Sequence, residues 1–387
     1  MIQRIFHPIG QGAFYSERHD GFNIVYDCGT AWPNRTKKVF DKVVTQSFSK
    51  DDVIDILFIS HFDYDHVSKI HVLNKHVKNI KKVVMPLLHE REKTILINMY
   101  RSLDFNIFKL ISNPGEFFGN GTQIITVNPT DNNTPIDNNE TPIDIDDEID
   151  NKIDSGTTLQ KNFNKYEWIF IPYNYKYNDK HIKLIKQLKI NGFTDEEIEK
   201  LQTNSSYTIN KIIDDVSKSE KKGGKIFKKA YTKLGGDINE NSMLLYSSAK
   251  SNSKKWRMGA FAIDNLRYHN QFADEYILHT GLLWNEYSSK VGCIYTGDSN
   301  LNKIDIKTIF KFYWSSVGTI QIPHHGDLTS FNKSILDNKH YLCPISVGEY
   351  NSYGHPSSKV IADILSQDSH PILVTENLTS SFIERIY

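Results

Sequence analysis

Only three cysteines occur in 387 residues, Cys28, Cys293 and Cys343, far apart and each inside an apolar, strand-like segment. An odd, scattered set with no C-x-x-C pair excludes a disulfide framework and a structural zinc knuckle, so buried reduced thiols are expected. A dominant charge is missing too. Lys plus Arg and Asp plus Glu are 46 each, so no global field draws the chain to nucleic acid or anionic lipid, and any polyanion contact must come from a local patch. No apolar run approaches the length of a membrane span. The opening MIQRIFHPIG lacks a basic region followed by a long apolar core. A soluble, cytoplasmic globular protein without membrane contact is expected. No internal repeat of useful period is visible. The G-G-K at 223–225 has neither the glycine spacing nor the following Ser/Thr of a phosphate loop.

What is present is apolar and aromatic. Hydrophobic residues make up 39%, with 21 Phe and 20 Tyr, enough for a substantial core in one large domain or two. GFNIVYDCG (21–29) and DVIDILFIS (52–60) read as strands, VSKIHVLNKHV (67–77) as a helix, KKVVMPL (81–87) as a strand and EREKTILINMYRSL (90–103) as a helix. Residues 130–156 are rich in Asn, Asp and Pro and poor in aromatics, which describes a flexible, solvated insert. YEWIFIPYNY (166–175) resumes as a strand. Residues 179–202 hold two helical patterns broken at Asn191-Gly192, with Thr194 placed as an N-cap. The divisions expected are 1–129 as the first half of a domain, 130–156 as the acidic insert and 157–177 as a return strand. A helical insertion with a Lys-rich end (178–234) follows, and then the second half of the domain (235–387). Strands and helices alternate throughout, giving an α/β class with sheets covered by helices.

Four predicted strands end in ionisable residues. The strand 52–60 runs into H-F-D-Y-D-H, placing His61, Asp63, Asp65 and His66 within six positions of one loop. VGCIYTGD ends in Asp298, TIQIPHHGD carries His324 and His325, and YLCPISVGEYNSYGHP leads to His355. Taken singly, T-G-D is turn chemistry, H-H-G a capped turn and Y-G-H-P a loop. Taken together, all at strand ends where loops carry function on a rigid frame, they form a mixed imidazole and carboxylate set of the kind divalent cations prefer.

The series resembles the metallo-β-lactamase superfamily of hydrolases, and more narrowly the branch that includes the hydrolase domain of the ComEC DNA-uptake proteins. The matching stretches are IGQGAFY (9–15), IVYDCG (24–29), ISHFDYDH (59–66), NENSMLLY (239–246), IYTGD (294–298), IPHHGD (322–327), ISVGEYNSYGHPSSKVI (345–361) and VTEN (374–377). They cover residues 1 to about 90 and 239 onward; the middle has no counterpart. The resemblance implies a four-layer αββα sandwich, interrupted here by the helical insertion, with two divalent metal ions at one edge. His61 and Asp63 would face one ion, and Asp65 and His66 the other. Asp298 would bridge them and His325 would complete the second site. His324 and His355 would lie beside the ions as further ligand, proton donor or phosphate contact, so that these two and Asp65 are the expected catalytic residues. Asp27 would orient the metal-binding loop. The family usually has His where this chain has Asp63, and His89, His181 and His279 lack a motif that would complete the first site. That site is therefore expected to be poor in ligands and partly occupied, and its carboxylates move preference from zinc towards manganese.

Such a site is expected to hydrolyse a phosphodiester or an ester by a metal-activated hydroxide. KSEKKGGKIFKKAYTKLGG (218–236) includes the basic run Lys221–Lys233 with Phe227 and Tyr231 interleaved, and KSNSKKWRMG (250–259) adds Lys250–Arg257 with Trp256. Basic residues among aromatics suit a strand of nucleic acid, although Lys-rich helix faces are also often just solvated. The first expectation is a phosphodiesterase or nuclease. The alternatives are a hydrolase of a small ester, lactone or cyclic nucleotide, and a catalytically weak sensing or binding module.

Overall fold

Two mixed sheets lie face to face in a computed structural model that describes residues 1–31, 37–102, 107–207, 241–250, 256–262, 282–288, 290–349 and 351–387. Among the described residues the first sheet has ten strands. Its spatial order is β13 (Leu282–Ser288), β12 (Trp256–Ala262), β18 (Phe382–Ile386), β1 (Ile2–Phe6), β2 (Phe14–Arg18), β3 (Asn23–Cys28), β4 (Val53–Phe58), β5 (Asn79–Pro86), β6 (Gln123–Val127) and β8 (Lys152–Ile153). The second sheet has eight, in the order β17 (His370–Val374), β16 (Leu342–Ser346), β15 (Val317–Ile320), β14 (Gly292–Tyr295), β11 (Asn241–Ala249), β10 (Tyr166–Lys176), β9 (Leu159–Phe163) and β7 (Ile143–Asp144). The strands β3 to β6 pair in parallel, as do β14 to β17, while most of the remaining pairs are antiparallel.

Strand periodicity explains the layering. Successive side chains point to opposite faces, so β10 sends Trp168 and Phe170 into the space between the sheets and Ile169 and Ile171 to the outer face. The strand β11 divides Met243 and Leu245 from Leu244 and Tyr246 in the same way. Outside the first sheet, Val25, Leu57 and Val83 pack under the helices Lys37–Ser47, Ile70–His76 and Glu90–Ser102. Outside the second, Ile294, Ile320 and Ile345 pack under Ile306–Ile309 and Ser358–Leu365. The order helix, sheet, sheet, helix is the αββα sandwich expected. All three cysteines are free and buried, and no helix among the described residues is long and apolar enough to cross a membrane.

The inserted helices belong to the outer layer of the first sheet. Asn178–Ile190 stops at Asn191-Gly192, where Gly192 takes a φ of 94°, a value suited to glycine. Asp195–Thr203 then starts with a capping box, Thr194 accepting from the Glu197 backbone and the Glu197 carboxylate from Thr194 N–H. Leu184, Leu188, Ile198 and Leu201 are buried in the same core as Leu96 and Tyr100.

Residues 130–156 do more than their composition conveys. They supply β7 to one sheet and β8 to the other, and they bury Ile136, Ile145, Ile149 and Ile153. Their polar residues shape turns rather than solvate a coil: Asp137 accepts from Asn139 N–H and Asp144 from Asp146 N–H, each at 2.9 Å.

A charged row lies buried inside the sandwich. Across the first sheet Arg4 stands opposite Glu384 on β18 and Glu17 on β2. The guanidinium donates to both carboxylates, to Glu17 at 2.8 Å, and all three residues are fully buried. The second sheet answers with Ser247 and Tyr295 donating to Glu17, each at 2.8 Å, and Thr319 donating to Glu384.

Candidate metal centre

The ends of β4, β14, β15 and β16 meet at one edge of the sandwich and bring together His61, Asp63, Asp65, His66, Asp298, His324, His325 and His355. One part of the expectation changes. The four residues after β4 do not share an open loop: Asp63 precedes a one-turn helix, Tyr64–Val67, that carries Asp65 and His66. Two donor groups result. Asp65, His66, Asp298 and His325 form one, and His61, Asp63 and Asp298 the other, with one donor atom from each residue within 4.8 Å of the rest of its group. Asp298 is common to both. Its Oδ1 lies 3.0 Å from His66 Nε2, and its Oδ2 lies 3.7 Å from Nε2 of His61 and of His324.

Each ring is held by its far nitrogen. His66 Nδ1 donates to Asp27 Oδ2 at 2.8 Å, and His325 Nδ1 donates to the Ser346 carbonyl at 2.8 Å. Ser60 Oγ donates to Asp27 Oδ2 at 2.6 Å and therefore accepts from His61 Nδ1 at 2.7 Å. These bonds place the proton on Nδ1 and turn the Nε2 lone pairs inward, the tautomer that metal-binding imidazoles adopt. His66 Nε2 is buried 3.0 Å from a carboxylate without hydrogen-bond geometry. Three inward imidazoles and three carboxylates, almost all buried, fit divalent cations, because such a set is otherwise costly to desolvate. The group of His61, Asp63 and Asp298 has three donors to the other's four. His89 is exposed, His181 falls in the helix Asn178–Ile190, and His279 lies outside the described residues.

The backbone sets the position of the Asp65–His66 turn. Asp27 takes a left-handed φ of 55°, which points its carboxylate at Ser60 N–H, 2.7 Å away. Gly12 and Gly29 let two strand ends close on the turn: a Cβ at Gly29 would stand 2.5 Å from the Asp65 carbonyl, and one at Gly12 2.9 Å from its oxygen. Ser60 and Gln321 are functional residues that sequence reasoning missed. Gln321 Oε1 accepts from the backbone N–H of Thr296 and Gly297 at 2.7 and 2.9 Å, clamping the turn that presents Asp298. A Gln inside the apolar run T-I-Q-I-P was its signal. Ser60→Ala removes the support of His61 Nδ1 and one donor to Asp27. It is expected to weaken metal binding by about 10- to 100-fold with the fold retained, measured by competition with a chromogenic chelator.

Electrostatics follow the same pairing. Burial resists charge on Asp298, but His66, His324 and His61 hold its carboxyl well below the usual range. Burial also opposes protonation of His66, yet Asp298 and Asp27 raise its pKa well above the ordinary value. His325 is raised against its burial by Asp65 and Asp298. Without a cation the cluster thus pairs imidazolium with carboxylate, and cation binding releases those protons.

His324 and His355 stand beside the donor groups, their rings 5.6 Å apart. Between them Asp327 lies 3.9 Å from His324 Nδ1 and 3.9 Å from His355 Nε2. Burial and the neighbouring His325 and His324 lower the His355 pKa to about 4. The basic segments are placed differently. Lys221–Lys233 and residues 251–255 lie outside the described residues. Lys250 pairs with Glu167 at 3.4 Å, and Trp256 is buried against Tyr166 and Trp168, so its ring is not offered to a base. Met243 N–H bonds Ser60 at the site end of β11, which puts Lys250 about 25 Å further along the strand.

Residues 12–156 match the family model described as Metallo-beta-lactamase superfamily. No curated protein matches the chain. Among solved structures, the metallo-beta-lactamase fold protein YhfI from Bacillus subtilis is 16% identical, with a TM-score of 0.16. The alignment covers 22% of this chain and 37% of that one. The family match falls on the segment that supplies Asp27, Ser60 and the H-x-D-x-D-H turn, so that stretch is similar to the metallo-beta-lactamase superfamily.

Proposed function

We propose that the protein is a metal-dependent phosphodiesterase whose substrate is a polynucleotide. The observation that carries the reading is the pair of donor groups sharing Asp298, with two further imidazoles, His324 and His355, beside them. His61, Asp63 and Asp298 would hold one divalent ion, and Asp65, His66, Asp298 and His325 a second. Ions held there would supply a water of lowered pKa and neutralise charge on phosphoryl oxygens. The chain's own groups do the rest. Asp298 and Asp65 keep the inward rings in register. His324, flanked by Asp298 and Asp327, is placed to hand a proton to the leaving oxygen. His355, neutral at neutral pH, is placed to accept a hydrogen bond or proton. The preference for nucleic acid is supported by the likeness of ISHFDYDH, IPHHGD and YGHP to the ComEC-type hydrolase domain, and by the basic composition of Lys221–Lys233.

The test is hydrolysis of bis(p-nitrophenyl) phosphate and of labelled single- and double-stranded DNA and RNA, beside p-nitrophenyl acetate and a homoserine lactone. Diester cleavage is expected, abolished by chelation and restored by Mn²⁺ or Zn²⁺. Turnover of the ester or lactone with no diester cleaved would overturn the reading.

A further inference from the structure

Tyr353 stands two residues before His355 on the loop after β16, and 52% of it is exposed. Its ring joins none of the three buried cores and lies 5.8 Å from the His355 ring, tilted by 32°. The loop is fixed by one side chain. Asn351 Nδ2 donates to the carbonyls of Gly348 and His355 at 2.7 and 2.6 Å, while its Oδ1 accepts from the N–H groups of Tyr353 and His355 at 3.1 and 3.0 Å. Four bonds from Asn351 therefore hold the backbone that carries this exposed ring in a set place at the rim of the His/Asp cluster. The His355 ring in turn lies 6.3 Å from the His325 ring, so Tyr353 stands one ring out from the donor groups. A surface tyrosine with no role needs neither the staple nor a place beside His355.

We infer that Tyr353 is a stacking platform that binds an aromatic ring of the substrate, a nucleobase, adjoining the phosphodiester at the metal centre. This rests on the phosphodiesterase reading and sharpens it, because it asks for an unstacked base and so for single-stranded or frayed substrate. Stacking on a tyrosine tolerates any base, so affinity without sequence preference is implied.

The test measures binding apart from turnover. A fluorescent pentathymidylate with phosphorothioate linkages and an abasic oligomer of the same length and charge are titrated into the full chain by anisotropy at fixed salt. The variants are Tyr353→Ala, Tyr353→Phe and Tyr353→Trp, each checked for metal content. Tyr353→Ala is expected to weaken pentathymidylate binding by about tenfold or more, with Phe and Trp within about twofold of the parent. The abasic oligomer is expected to bind all four proteins alike. The inference is overturned if Tyr353→Ala binds pentathymidylate as the parent does, if it loses both probes equally, or if the parent prefers neither. Failure of the phosphodiesterase reading would show separately, as a base-dependent binder that leaves bis(p-nitrophenyl) phosphate intact.

Discussion

Asp298→Ala is expected to empty both donor groups in one step and to lower diester hydrolysis by about three orders of magnitude or more. The reason is topological. Asp298 ends β14 in the second sheet, whereas His61, Asp63, Asp65 and His66 all follow β4 in the first, so its carboxylate joins the two sheets at the site and belongs to both groups. Asp63→Ala, by contrast, takes a donor from the three-membered group alone and should leave the Asp65, His66, Asp298 and His325 group loaded. Elemental analysis of the two variants beside the parent, with rates on bis(p-nitrophenyl) phosphate, separates the cases. Metal retained in Asp298→Ala, or a rate within about tenfold of the parent, would show that the bridging role is misassigned. The variant should still fold. Without Asp298, His66 keeps Asp27 as its partner and can shed a proton rather than stand as a buried cation.

Much of this site is legible in the sequence. H-x-D-x-D-H compresses four donors into six positions, and Asp298, His324, His325 and His355 each sit at the end of an apolar run. The near-continuous apolar run YEWIFIPYNY likewise reads as a strand, and the mixture of strands and helices as sheets covered by helices. What stayed hidden depends on pairs distant in sequence or on backbone shape. Gln321 acts on Thr296 and Gly297, and a single polar residue in a strand does not name its partner. Ser60 matters through Asp27, whose left-handed φ no composition reveals. In residues 130–156 the abundance of Asp and Asn concealed isoleucines spaced widely enough to reach both cores. The aromatic reading of Trp256 failed for the opposite reason: a ring among lysines looks exposed until Tyr166 and Trp168 are found on either side of it.

The buried row of Arg4, Glu17 and Glu384 was the least legible feature and yields the largest stability prediction. In sequence these residues interrupt three ordinary strands, IQRIF, FYSER and FIERI, and only the register makes them neighbours. Arg4→Met removes the sole guanidinium and leaves two carboxylates desolvated with neutral donors alone, so a loss of about 3–5 kcal/mol is expected from urea unfolding at neutral pH. The pH dependence has a definite sign. Burial pushes the Glu17 carboxyl up, but Arg4 and then His19 more than reverse this and lower its pKa from 4.5 to about 2. A carboxyl depressed in the folded state stabilises fully above its unfolded pKa and loses that contribution as pH falls through the folded value. For Glu17 this amounts to about 3 kcal/mol, lost between about pH 4.5 and 2. In Arg4→Met burial acts unopposed by the guanidinium, so Glu17 takes up its proton at higher pH and the strain of a buried charge is relieved on acidification. The stability gap between parent and variant should therefore be widest at neutral pH and close as pH is lowered. A gap that stays constant down to pH 3 would mean that Arg4 contributes packing alone, and that the charges beside it are balanced by the hydroxyl donors of the second sheet.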